Sequence, residues 1–477
     1  TTTMSIQINS NDGKSISLAA EIIDSFSASL RGELLSTEQP KYAQARQVWN
    51  GMINKYPALI ACCTGATDVV TAVTFARDHN LLLSVKGGGH NIAGSAVCDG
   101  GLMLDLSAMN GVVVDVKSRT VQVQSGALLG DIDHETQHFG LAVPTGINST
   151  TGIAGLALGG GYGWLSRAFG HTVDNILSAD IVTAKGDFLH LSAHENADLF
   201  WAIRGGSGNF GVVTNFTFKL HSVGPTILSG PVIFPIAQAK LVLQQYRHLA
   251  RELPDQASCW FVIRQAPAFP FLEQSYHGQT VLILAMSYVG DIAEGEKALA
   301  PLRALGQPLA DAVGACPYKG WQAAFDPLLA AGARNYWKSS DFTDISEQLI
   351  DTLIAAASNL PSNECEIFIA QLGGAASRVP SSAMAYPHRS TAYTMNIHGR
   401  WQSPALDDEA IAWVRELFNQ VEIFSTGSVY VNFVPENDEI RKIGPYGANK
   451  ARLEKIKGKV DPSNLFHTNI NIEPKLN

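Results

Sequence analysis

Two short runs carry most of the chemistry that this sequence offers. The first is Gly87-Gly88-Gly89-His90-Asn91, at the end of the β-rich run LLSVKG. Glycine accepts positive φ, so consecutive backbone N–H groups can turn toward one anion. A histidine directly after three glycines is poor core material, which makes His90 a candidate reactive group beside a phosphate-binding loop. A histidine satisfied within a tight turn is the plainer alternative. The second run is TTGIAGLALGGGYGWLSRAFG (150–170), where Gly152, Gly155, Gly159, Gly160 and Gly163 recur. One such loop reads as a turn. Two, each fed by a strand in the same part of the chain, read as a dinucleotide cradle.

Three further motifs fail on their surroundings. Gly206-Ser207-Gly208-Asn209-Phe210-Gly211 fits G-x-G-x-x-G, which requires a following helix and an acid about 20 residues on. Here the strand-like VVTNFTF follows, and no Asp or Glu lies between Asp198 and Glu252. Gly13-Lys14-Ser15 lacks the upstream glycine of a P-loop, because position 8 is Ile8. His134-Glu135-Thr136-Gln137-His138 is a literal H-E-x-x-H on a predicted helix, the pattern of a zinc hydrolase. It has no third ligand nearby: position 144 is Pro144, and no acid lies between Glu135 and Asp174. We expect no metal there, only a helix that carries two histidines.

The elements that must position these runs follow from hydrophobic pattern. LIACC (59–63), LLSVKG (82–87), LMLDLS (102–107), VVVDV (112–116) and TVQVQSG (120–126) read as strands. Residues 66–80 have helical spacing, giving a β-α-β segment, and 126–140 is a second helix. DIVTAKGDFLHLS (180–192) reads as two strands about a Lys-Gly turn, and 211–223 as one alternating strand. After Pro225, long helical runs such as 236–254 alternate with strands such as 280–290. Boundaries are expected near 224 and 426. The 477 residues suit two domains, and 46% hydrophobic with 16% charged residues suits two cores.

The net charge of -9 argues against a nucleic-acid footprint or a basic membrane patch. No apolar run is long enough to span a bilayer. The polar N-terminus lacks a secretory pattern, and Met4 reads as the natural start. The six cysteines form no disulfide framework or C-x-x-C pair, so reduced thiols in a cytoplasmic protein are expected. The chain is read as a monomer or homodimer.

The run VKGGGHNIAGSAVCDGGLMLDLS (85–107) resembles the FAD-linked oxidases of the vanillyl-alcohol oxidase type, berberine-bridge-enzyme-like branch. The resemblance continues through 144–186 and 198–220, NYWKS (335–339), LGGAASRVP (372–380), YVNF (430–433) and the tail 446–474, in the family's order. It implies an α+β fold. Residues 1–223 and 427–477 form a two-part PCMH-type FAD-binding domain. Residues 224–426 form a substrate domain with an antiparallel sheet covered by helices.

It further implies FAD bonded covalently to His90. Gly87, Gly88, Gly89 and Asn91 cradle the pyrophosphate. Gly152, Gly155, Gly159, Gly160 and Gly163 line the second loop, Gly211 and Val213 pass the ribityl or adenine part, and Asn469 and Asn471 reach the flavin ring. Some relatives have a second link through cysteine at the position of Asn148, so one covalent bond is expected here.

The activity implied is hydride transfer from the C–H of a small-molecule alcohol or amine, with reoxidation by O2. Thr151, small and next to Gly152, leaves room for O2 and favours an oxidase over a dehydrogenase. Many relatives end the Tyr-x-Asn-Tyr run with a second tyrosine, often their base, where this chain has Phe433. Tyr430 is then the candidate base. On a strand it shares a face with Asn432, away from Phe433. Lys338 is a candidate cation for its phenolate, and Tyr393, Tyr336 and Gln371 are candidate neighbours in the cleft. The run 260–272 (WFVIRQAPAFPFL) fits an apolar pocket or plain packing. Non-oxidase alternatives are the zinc hydrolase and a flavin carrier without turnover.

If the HETQH helix is structural, His134→Ala and His138→Ala leave flavin content and turnover nearly intact. Stoichiometric zinc, lost from both variants together with activity, would reverse the ranking.

Overall fold

A computed structural model describes residues 4–436 and 444–477. Residues 1–3, ahead of the expected start, and 437–443, inside the C-terminal span assigned to the FAD-binding domain, lie outside the described residues. The β-α-β segment forms as expected. Strands Leu59–Cys62 and Leu83–Lys86 both pair in parallel with Leu102–Asp105. Helix Ala66–Asp78 covers them, burying Val69, Ala72, Val73 and Ala76 completely. That is the i, i+3, i+4, i+7 stripe of a helix on a sheet. Strand Leu83–Lys86 delivers the chain directly into Gly87 and His90.

A second, antiparallel sheet has the order Phe188–Ser192, Ile176–Val182, Val212–Lys219, Thr120–Gln124, Val112–Asp115. Between two of its strands the chain forms helix Leu129–Gln137 and the second glycine loop, which includes helix Ile153–Gly159. The two glycine loops touch backbone to backbone. A methyl group on Gly88 would overlap the Gly152 nitrogen and Cα, and one on Gly152 would overlap Gly88.

From Thr226 to Trp401 the chain builds one eight-stranded antiparallel sheet. Helices Ala239–Arg251, Ile292–Arg303, Glu347–Ala356 and Asp407–Val421 cover one face, through Val242, Leu299, Leu353 and Val414 among others. The arrangement is α+β with a helix-covered antiparallel sheet. Its strands alternate strictly. In Tyr393–Trp401, Tyr393, Met395, Ile397 and Trp401 enter the helix-side core, so Asn396 and His398 point the other way.

The C-terminal segment is pinned under the glycine loops. Helix Lys450–Val460 presents Lys457, fully buried with Asp461 in an ion pair at 2.9 Å. The Lys457 ammonium donates to the carbonyls of Asn209 and Phe466, and Asp461 accepts the N–H groups of Leu465 and Phe466. Thr468 then donates to the Leu83 carbonyl at 2.6 Å. One expectation is corrected nearby: the YVNF run is not a strand. Val431–Phe433 is a 3-10 turn, because the Tyr430 N–H is taken by Ser339 Oγ and the Phe433 N–H closes back on the Tyr430 carbonyl. Phe433 therefore shares the cavity side with Tyr430 and Asn432.

Removing one member of a buried ion pair strands the other. Asp461→Asn is expected to destabilise the protein by about 3–5 kcal/mol, read from urea unfolding. The paired change to Met and Leu is expected to cost less.

Candidate active site

A cavity of ≈ 320 Å³ runs from the glycine loops to the uncovered face of the large sheet, within the size range of small-molecule sites. Its loop side holds Gly87, Gly88, Gly89, His90 and Asn91 from the first loop. Thr151, Gly152 and Gly155 come from the second. Gly211, Val213 and Asn469 complete that side. Gly208, in the motif rejected as an NAD fingerprint, also lines it. At Gly155 and Gly208 an added methyl would meet nothing within 4 Å. Packing does not require glycine at those two points, and its absence of a side chain leaves the channel open there. Asn469 offers a buried Oδ1 with no partner among the described residues. An open glycine-edged channel with an orphan acceptor fits a dinucleotide.

His90 is held from three sides. Its ring stacks on Trp49, with centroids 5.0 Å apart. Thr150 Oγ1 lies 2.9 Å from Nε2, and Thr151 Oγ1 3.5 Å from Nδ1. The Thr150 hydroxyl donates to Asn148 Oδ1 at 2.9 Å. Burial pushes the His90 ring down to about 4, so it is neutral at pH 7.

On the sheet side, four strands set Arg264, Glu366, His398 and Trp337 in one cross-strand row. Arg264 donates to Glu366 Oε2 at 2.8 Å, and Glu366 Oε1 lies 3.0 Å from His398 Nδ1. Burial alone would raise the Glu366 carboxyl; His398 and Arg264 override it and hold the group at about 2. Burial keeps His398 below its ordinary value, against the pull of Glu366. His398 Nε2 lies 3.3 Å from Asn335 Oδ1. That oxygen is fixed as an acceptor, because Asn335 Nδ2 donates to the Ala333 carbonyl and Trp337 Nε1 donates to Oδ1.

Strand alternation corrects several sequence expectations. Lys338, Tyr393 and Gln371 lie on the helix-covered face, not in the cleft. The Lys338 ammonium stands 4.3 Å over the Phe418 ring. Tyr393 belongs to the helix-side core with Tyr336. Gln371 donates to the Ala250 carbonyl and accepts the Cys259 N–H. Gly159, Gly160 and Gly163 do not line the cavity; they admit Asn432, the Tyr386 ring and the Thr145 carbonyl respectively. Asn471 turns to Glu473. Trp260 stacks on Trp164 at 4.0 Å, in the core.

Tyr430 does line the cavity. Its hydroxyl accepts the Gly161 N–H at 2.9 Å and Asn432 Nδ2 at 2.8 Å. Burial pushes it up to about 12, despite those two donors. No local motif marks Glu366, Asn396 or His398. The available signal was alternation: polar residues at every second position of otherwise apolar strands. At HETQH, His134 Nδ1 meets the Lys319 ammonium at 2.8 Å. Among the described residues, no three His, Cys, Asp or Glu stand together to hold a metal, and no helix is long and apolar enough to cross a membrane.

A glycine-edged dinucleotide channel, a helix-backed sheet facing it and a tail pinned beneath define a flavin-binding oxidoreductase. The comparisons agree. An FAD binding domain model matches residues 57–192, and a berberine and berberine-like model matches 429–473. An FAD-linked oxidoreductase of Dictyostelium discoideum is 31% identical over 462 residues, 96% of this chain and 98% of that protein. (R)-6-hydroxynicotine oxidase of Paenarthrobacter nicotinovorans is 29% identical, over 94% of this chain and 98% of its own. The structure of 6-hydroxy-D-nicotine oxidase from Arthrobacter nicotinovorans superposes with a TM-score of 0.83 at 27% identity, covering 94% and 99% of the two chains. Physcomitrella patens BBE-like 1 shares the fold, with a TM-score of 0.86 at 22% identity, over 95% and 100%. The chain belongs to the FAD-linked oxidoreductases of the berberine-like family, and its fold is their two-domain PCMH-type fold. Its cofactor is FAD and its class that of an FAD-linked oxidoreductase.

Because Gly155 faces open space, Gly155→Leu should fold normally yet lose most of its bound flavin. Circular dichroism and the visible spectrum of the purified variant check both halves.

Proposed function

We propose that this chain is an oxidase of a small alcohol or amine, with FAD bonded to His90 alone. The observation that carries the proposal is the single cavity joining His90 to the Glu366–His398 pair. Bound FAD supplies hydride acceptance from a substrate C–H and reoxidation by O2 to H2O2. The protein supplies the geometry and the proton chemistry.

Proton counting selects the reactive atom of His90. The Thr150 proton goes to Asn148 Oδ1, so the Thr150 oxygen accepts from His90 Nε2–H. The neutral ring then carries its lone pair on Nδ1, the atom proposed to bond the flavin. Asn148 stands where some relatives have a second linking cysteine, and here it orients Thr150 instead. The same reading assigns residues 1–223 and 427–477 to the cofactor and 224–426 to the substrate, in a monomer or homodimer. A cytoplasmic setting is supported by six unpaired cysteines.

A base must take the proton as the hydride leaves. His398 is the first reading. Glu366 accepts its Nδ1–H, which leaves the lone pair on Nε2, 3.3 Å from the acceptor Asn335 Oδ1; a proton taken up there is held between the two. Tyr430 is the second reading, favoured by the two donors on its oxygen and opposed by its burial.

Acid-precipitated protein should stay yellow, and His90→Ala should release all flavin. Thr150→Val should slow attachment, with Thr150→Ser restoring it. In anaerobic stopped-flow, His398→Gln should cut flavin reduction by about 10²–10⁴ with the flavin spectrum unchanged. Tyr430→Phe should cost far less; a reversed pair of results assigns the base to Tyr430. Because His398 must be neutral to accept and burial lowers its pKa, wild-type reduction should fall only on the acid side, below the ordinary histidine range, and His398→Gln should lose that limb.

A further inference from the structure

We infer that the substrate is an uncharged flat aromatic or heteroaromatic molecule bearing a hydroxyl or N–H, and that Asn396 receives that group. This rests on the oxidase reading above and goes beyond it by naming what the sheet side of the cavity can hold.

Asn396 is 4% exposed, lines the cavity, and has a buried Oδ1 with no hydrogen-bond partner among the described residues. Buried acceptors in folded proteins are almost always satisfied, and an unsatisfied one is costly. Among the described residues no donor reaches this oxygen, and because Asn396 lines the cavity a ligand there can supply one. Asn396 and His398 are two apart on one strand and face the same way, about 7 Å apart along it. A molecule whose donor rests on Asn396 therefore places a reacting group one ring's span away, at the proton acceptor.

The surrounding surface decides the rest of the molecule. Phe368 lies opposite Asn396 on the neighbouring strand. Trp337 stands 5.5 Å from Trp49 and 5.4 Å from Phe433, with edges turned to faces. Their polar atoms are already committed: Trp337 Nε1 to Asn335, and Trp49 Nε1 to the Leu329 carbonyl. A carbohydrate, with a hydroxyl on nearly every carbon, would leave most of them unmet against these rings. A charged substrate finds no free counter-charge in the row, because Glu366 is shared between Arg264 and His398, and Arg264 also donates to the carbonyls of Gln265 and Asn363. What remains is a neutral ring with a donor.

The test is titration of the flavin-loaded protein, read as perturbation of the flavin's visible spectrum. The probes are indole against 1-methylindole, 2-naphthol against 2-methoxynaphthalene, cellobiose, and benzylamine as the cation. Each donor is expected to bind at least tenfold tighter than its methylated partner. Asn396→Ala should abolish that preference, and Asn396→Asp, which keeps an acceptor, should retain it. Tighter binding of cellobiose or benzylamine, equal binding within both pairs, or a preference unchanged in Asn396→Ala would overturn the inference. A colourless protein would instead defeat the oxidase reading, and the two failures are distinct.

Discussion

The contact of Gly88 with Gly152 sets the positions of everything else in the site. The first loop follows a strand of the mainly parallel sheet, and the second lies between two strands of the antiparallel one. They meet with no side chain between them, and only glycine at both places permits the approach. Because the backbones touch, His90 on one loop falls within reach of Thr150 and Thr151 on the other. The loops thus make both the channel for the cofactor and the hydrogen bonds that fix one tautomer of the histidine. A side chain at either glycine would separate these two roles.

Charge is handled differently at the two ends of the cavity. The loop side keeps its histidine neutral by burial and uses backbone and amide groups. The sheet side buries an ionised carboxylate, at a desolvation cost offset by Arg264 and His398. Burial keeps His398 neutral beside that fixed anion, against the anion's pull, so protonation there produces an ion pair in place of an isolated charge. The tail adds a second buried pair, Lys457 with Asp461, whose remaining hydrogen bonds hold Phe466 and Asn209 under the loops.

The glycine loops, His90 and the β-α-β segment were legible because their signals are local: residue type, spacing and strand run within a few positions. The covering tail was legible only through resemblance. The sheet side was not legible, for a physical reason. Which face of a strand meets the cleft depends on what covers the other face, and four helices from distant sequence settle that. Residue type alone puts Tyr393, Lys338 and Gln371 in the cleft, yet each faces the helices; Asn396 and His398, one position away from apolar neighbours, face the cavity. The YVNF run misled in a similar way, since its strand pattern has no ladder to join and closes into a turn.

That alternation has a consequence for how such a chain can change over generations. Ile367, Met395 and Ile397 belong wholly to the helix-side core, while Glu366, Phe368, Asn396 and His398 belong to the cavity. Odd and even positions of the same strands thus answer to separate pressures, one on folding and one on ligand choice. Mutations confined to the cavity register can redirect recognition while the hydrophobic layer behind them stays as it was, whereas a single-residue insertion would exchange the two registers and spoil both at once.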